Sequence, residues 1–135
     1  MDTKKSIRSF KDLEVYQNSY KAMLTVMREV VTQLPAAEKY DLKHQTSRAC
    51  KSIPMLIAEG YTKRHQKAGF QKYLDDAMAE CNEMIVNLEQ SSDIYGIKPS
   101  SMNMEELIDL YDKSGRQLYN LSNAWTQFKS SKRQT

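Results

Sequence analysis

Apolar residues recur in steps of three and four through four stretches of the chain. Nowhere do they alternate as a strand requires. The first stretch runs from about Leu13 to Leu34. It places Leu13, Tyr16, Tyr20, Met23, Leu24, Met27, Val30, Val31 and Leu34 on one predicted face. Asp12 is its expected N-cap and Pro35 its stop. The second stretch, Asp41 to Tyr61, puts Leu42, Ala49, Cys50, Ile53 and Ile57 together, with Gly60 as the expected C-cap. Pro54 lies inside it and predicts a kink between Lys51 and Pro54. The third stretch, Lys67 to Tyr95, carries Phe70, Leu74, Ala77, Met78, Cys81, Ile85 and Leu88 and leaves through Gly96 and Pro99. The fourth, Met102 to Phe128, holds a heptad-like seam of Met104, Leu107, Tyr111, Ser114, Leu118, Leu121, Trp125 and Phe128. Ser100, Ser101 and Asn103 are its candidate caps, and Gly115 is an interior weak point costing about 1 kcal/mol relative to Ala.

Short connections make neighbouring helices antiparallel. The expected fold is all-α, an up-down-up-down four-helix bundle over residues 10–128. A basic arm of residues 1–9 precedes it and a basic tail of residues 129–135 follows; both are expected to fray. At 135 residues, 40% hydrophobic and 27% charged, the chain is one globular domain. No apolar run reaches bilayer length, the first residues lack the apolar core of a signal peptide, and two cysteines make no disulfide framework. A cytoplasmic protein with reduced thiols and no membrane association is the expectation.

The net charge of +3 hides an uneven distribution. Residues 41–72 carry seven Lys/Arg against two Asp/Glu, and residues 73–112 carry one against ten. Residues 113–135 carry five basic residues and no acidic one. Lys63, Arg64, His65 and Lys67 cluster between the second and third helices beside Tyr61 and Tyr73, a mixture that suits RNA. The candidate nucleic-acid set is Lys43, Lys51, Lys63, Arg64, Lys67 and Lys72, with Lys4, Lys5 and Arg8 as an arm. Arg116, Lys129, Lys132 and Arg133 form a second patch. A solvated basic loop explains the same residues equally well. The charge split also suits head-to-tail association into a ring.

Catalytic chemistry finds little support. The two histidines, His44 and His65, lack the Glu-x-x-His spacing of a di-iron bundle, so neither metal nor cofactor is expected. Cys50 and Cys81 fall on apolar faces and read as buried thiols. Glu80 and Glu83, one turn apart, read as structural rather than as an acid–base pair, with one of them accepting hydrogen bonds from Arg48 or from a neighbouring helix.

Three stretches resemble a known family: FKDLEVYQ (Phe10 to Gln17), SRACKSIPMLIAEGY (Ser47 to Tyr61) and FQKYLDDAMAECNE (Phe70 to Glu83). They resemble the four-helix bundle proteins encoded in intervening sequences of bacterial 23S ribosomal RNA genes, a family that includes the accessory variability determinant of diversity-generating retroelements. Arg48, Ser52, Pro54, Glu59 and Gly60 match the second motif, and Glu83 the acidic position of the third. Leu56 stands where members usually carry Asn, and Ala79-Glu80 where Gly-Ser is common. The resemblance implies a homopentameric ring with a basic surface and a nucleic-acid role, with no catalytic activity to carry over. In the retroelement branch it implies a reverse transcriptase and its template RNA as partners. Within the motif, Ser52 is expected to cap the backbone freed by Pro54, and Arg48 to meet Glu83 across two helices. The leading expectation is a non-enzymatic RNA-binding or nucleoprotein-assembly protein. The alternative is an oligomeric protein-interaction scaffold that works through its acidic residues.

Overall fold

In the computed structural model the chain is described over residues 6–134 of the backbone and over side chains 6–124, and four α-helices dominate it. They are α1 (Glu14–Thr25), α2 (Leu42–Thr62), α3 (Lys67–Tyr95) and α4 (Met104–Gln134). No strand occurs among the described residues.

Each helix boundary has a local cause. Before α1, Phe10–Asp12 forms a 3-10 turn closed by a capping box. The Ser9 hydroxyl accepts from the Lys11 amide, and the Asp12 carboxylate accepts from the amides of Ser9 and Arg8. Asp12 therefore serves this turn; the position before α1 is Leu13, which offers no side-chain cap. The exit of α3 follows expectation. Gly96 sits in the left-handed region at φ 64°, where its amide bonds Ser92 and the Ile97 amide bonds Ser91, and Ile97 is buried behind it. Of the three candidate caps for α4, Asn103 does the work: its Oδ1 accepts from the Glu106 amide at 2.8 Å.

Two expectations, at Gly60 and at Ser52, are corrected. Gly60 does not end α2, which runs on to Thr62. It is buried inside the helix, and a Cβ there would lie 3.0 Å from the Tyr73 Cβ. Its role is close approach of α2 to α3. Pro54 is also buried within a helix that continues through it. The Ser52 hydroxyl bonds the Ala49 carbonyl and Glu80, rather than the Cys50 carbonyl that Pro54 deprives of a donor.

The first helix departs most from its sequence pattern. Its buried residues are Val15, Ser19, Ala22, Thr25 and Val26, one position earlier than the expected Tyr16, Tyr20, Met23 and Met27. One position is about 100° of rotation. Small side chains face inward, so α1 lies close on its neighbours. Tyr16, Met23 and Met27 pack on the core's flank, while Tyr20 is 43% exposed. After Thr25 the winding loosens into a π-helical segment, Val26–Val30, then tightens into a 3-10 turn, Val31–Gln33, before Pro35. The buried positions Ala22, Val26, Val30 and Leu34 are each four apart. On an α-helix they would drift by about 120°; the wider π turn absorbs this drift and keeps them inward.

The ends of the bundle confirm antiparallel neighbours. Leu13, Tyr61, Phe70 and Leu121 surround one hollow at one end. At the other, the Glu29 carboxylate accepts from the Ser100 and Ser101 amides at 2.7 Å, and Gln33 donates to the Lys98 carbonyl at 2.8 Å. The amide and hydroxyl of Ser101, then those of Ser100, hold Glu29 below the usual carboxylate range. Tyr95 donates to Glu38 and its hydroxyl pKa is pushed up by that bond. The core between these ends contains Ile53, Ile57, Leu74, Met84, Leu88, Leu107, Tyr111 and Leu118, all fully buried. The expected stripe of α2 is buried throughout; in α3 and α4 Met78, Ile85, Met104 and Leu121 are only partly buried, and Met84, outside the expected α3 stripe, is fully buried. Trp125, Phe128 and the 129–135 tail have side chains outside the described residues.

Four outcomes follow from this packing. Gly115→Ala adds a Cβ 3.9 Å from that of Cys81, within ordinary contact, so urea unfolding should show a gain of about 1 kcal/mol. Gly60→Ala meets a Cβ anchored to the α3 backbone and should lower stability in the same assay despite its better helix propensity. The Tyr111 hydroxyl is buried with no hydrogen-bond partner, and burial pushes its pKa well up. Tyr111→Phe should therefore unfold at the same or higher urea concentration, whereas Tyr111→Ala should lose about 3–5 kcal/mol.

Candidate nucleic-acid interface

The cationic cluster sits where α2 turns into α3. The Lys63 amide closes on Gly60 at 2.9 Å, Arg64 on Tyr61 at 3.2 Å and Gln66 on Lys63 at 2.9 Å. This tight reversal projects Lys63, His65 and Lys67 into solvent. Arg64 is held differently. Its guanidinium lies 4.1 Å from the Tyr61 ring centroid, and its Nη1 donates to the Tyr61 carbonyl at 2.8 Å. A cation already fixed this way loses less freedom when it meets a phosphate. Beneath it lies a hollow of about 260 Å³ lined by Ile7, Leu13, Tyr61, Arg64, Phe70 and Leu121.

The six candidate cations do not form one patch. Lys63, Arg64 and Lys67 share the turn. Lys72 lies further along α3 and donates to Asp76 at 3.0 Å, a bond that raises its pKa and spends part of its charge locally. Lys51 stands about 18 Å back along α2 from Lys63, and the half-buried Lys43 about 30 Å back. In the second patch Arg116 pairs with Asp112 at 2.7 Å. Lys4, Lys5, Lys129, Lys132 and Arg133 have side chains outside the described residues.

Charge is sorted along the bundle axis. The half nearer the 63–66 turn (residues 6–20, 52–78 and 113–124) carries eight Lys/Arg against five Asp/Glu. The other half (residues 21–51 and 79–112) carries seven against eleven. Eight of the ten carboxylates in the acidic run, residues 73–112, thus fall in the half away from the basic turn.

Between the two halves lies the ion network of the second and third motifs. Arg48 reaches from α2 to α3, with Nη2 at 2.5 Å from Glu83 and Nη1 at 2.9 Å from Glu80. The Ser52 hydroxyl also bonds Glu80, at 2.6 Å, and Ala49 at 2.9 Å. One hydroxyl proton faces two acceptors, and the shorter, charge-assisted contact to Glu80 is the stronger. Glu80, which stands where the resembled family often has Ser, therefore joins Arg48 to Ser52. Leu56 packs on the flank of the core, and Glu59 is exposed.

The described residues contain no cluster of three His, Cys, Asp or Glu able to hold a metal ion. Cys50 and Cys81 are buried free thiols, and burial pushes both pKa values up to about 12. At neutral pH they remain protonated and poor nucleophiles. No helix among the described residues is long and apolar enough to cross a membrane.

Residues 11–120 match the family described as 23S rRNA-intervening sequence protein. No curated protein matches the chain. The matched span includes the Arg48–Glu80–Glu83 network and the basic turn.

Removing Arg48 leaves two carboxylates facing each other with no shared cation. Because Arg48 is half exposed, Arg48→Ala should lower stability by only about 1 kcal/mol. Adding Glu80→Gln to that variant should recover part of the loss, read as a double-mutant cycle in thermal unfolding.

Proposed function

This chain belongs to the 23S rRNA-intervening sequence protein family, and from that footing we propose that it is a non-enzymatic RNA-binding protein acting in nucleoprotein assembly. The observation that carries this reading is the turn itself. Residues 61–74 contain Lys63, Arg64, His65, Lys67 and Lys72 and no carboxylate, with two tyrosines among them. Cations hold phosphates and aromatic rings accept unpaired bases. The family's name ties it to 23S rRNA, which agrees with an RNA role.

In its finer form the protein is an accessory subunit of a diversity-generating retroelement reverse transcriptase, working as a homopentameric ring. The axial charge separation supports head-to-tail association, since one subunit's basic half complements another's acidic half. Multiplying the basic turn around a ring would strengthen attraction for a polyanion. The acidic half also favours a second reading, a scaffold that recruits a basic protein and ignores nucleic acid.

A titration of RNA at two salt concentrations separates these readings. Lys63→Gln, Lys67→Gln changes two exposed side chains and leaves the Arg64–Tyr61 contact in place. If both lysines contact single-stranded phosphates, the log–log salt slope should shrink by about 1.4, with native mass unchanged. Wild-type protein that binds no RNA at low salt would sink the proposal and favour the scaffold.

A further inference from the structure

The outward face of α1 carries a second feature that the basic turn does not explain. Tyr16 and Tyr20, one helical turn apart, lie side by side with centroids 5.8 Å apart and planes tilted by 33°. Phe10 braces Tyr16 edge-on at 4.9 Å. The two rings line an open groove of about 520 Å³ together with Lys11, Gln17, Lys21 and Leu24. Gln17 is fixed there by donating to the Lys11 carbonyl at 2.8 Å. Lys11 and Lys21 bracket the rings, both are exposed, and neither makes an ion pair among the described residues. No carboxylate lines the groove.

Resting on the RNA reading above, we propose that this groove is a stacking platform for single-stranded RNA, in which unpaired bases lie on Tyr16 and Tyr20 and the flanking phosphates meet Lys11 and Lys21. The chemistry calls for both parts. Exposed π-faces accept any base, and lysines without local partners retain their full charge for phosphate. A duplex keeps its bases paired and offers these rings nothing to stack on. Position supports the same occupant. Leu13, between Lys11 and Tyr16 in the chain, lines the hollow that also contains Tyr61 and Arg64, so the groove begins close to the basic turn. A strand held by Lys63 and Lys67 at the end of the bundle would run onto α1.

The test uses the full chain and a labelled single-stranded RNA of about 12 nucleotides, with the matching duplex alongside. Tyr20→Ala removes a ring that is 43% exposed, so the fold should tolerate it. Single-strand affinity should fall roughly fivefold or more, while Tyr20→Phe, which keeps the ring, should bind like wild type. Duplex binding should not change in either variant. Lys11→Gln, Lys21→Gln should shrink the single-strand salt slope by about 1.4.

Unchanged single-strand affinity in Tyr20→Ala overturns the platform. If the wild type still binds RNA through Lys63 and Lys67, the RNA reading survives that result. A lower native mass in Tyr20→Ala overturns it too, because the face is then a contact between subunits. A wild type that binds no RNA removes both proposals together.

Discussion

The missing side chain at Gly60 allows the second and third helices to meet. Any Cβ there would stand 3.0 Å from the Tyr73 Cβ, so the pair closes at a distance that other residues would obstruct. About three turns back along α2, Arg48 spans to Glu80 and Glu83. A tight steric contact and a long polar bridge, set apart along the same two helices, leave little room for sliding. With register fixed, Cys50 faces inward from α2, Cys81 from α3 and Tyr111 from α4 into one interior. The basic turn is the short link between these two locked helices, and its position follows from theirs.

The same rigidity suits an electrostatic role. Loops carrying several lysines are commonly mobile, and ordering them on binding costs conformational entropy. Here Arg64 is already held against Tyr61 and the turn is closed by successive backbone hydrogen bonds. The acidic side chains are mostly gathered toward the opposite end. The resulting field runs along the bundle axis, which orients an approaching polyanion before contact is made.

Much of this architecture was legible in the sequence where punctuation and side-chain size agreed. The third helix begins and ends at Lys67 and Tyr95 as its pattern predicts, because Gly96 provides the left-handed exit that the chain requires. The Arg48–Glu83 contact was expected from the motifs that carry the family resemblance. What the pattern obscured has definable causes. On α1, large residues carry the periodic signal but small ones carry the packing: Ser19 and Ala22 are fully buried while Tyr20 is out. Hydrophobicity ranks tyrosine and methionine above serine and alanine, so it points about one residue round the helix. Gly60 looked like a stop because glycine often ends helices, and only the neighbouring Tyr73 reveals its other use. At the candidate interface, the turn cluster was visible in sequence. That Lys72 leans on Asp76, and that Lys43 and Lys51 stand far from the turn, depends on helix geometry.

The loosened turn at Val26–Val30 also bears on how such a helix changes in evolution. A π-helical segment holds one residue more than an α-helix of the same reach. Losing a single codon there would let the helix wind regularly. Because the extra residue is taken up inside the wide turn, the segments before and after the lesion would keep nearly the same relative facing. With Val30 and Leu34 still anchored, Val15, Ser19 and Ala22 would stay turned toward the core. The chain's tolerance of a single-residue deletion should therefore be higher at Val26–Val30, where the helix already holds a residue in excess, than in the regular turns of the other helices.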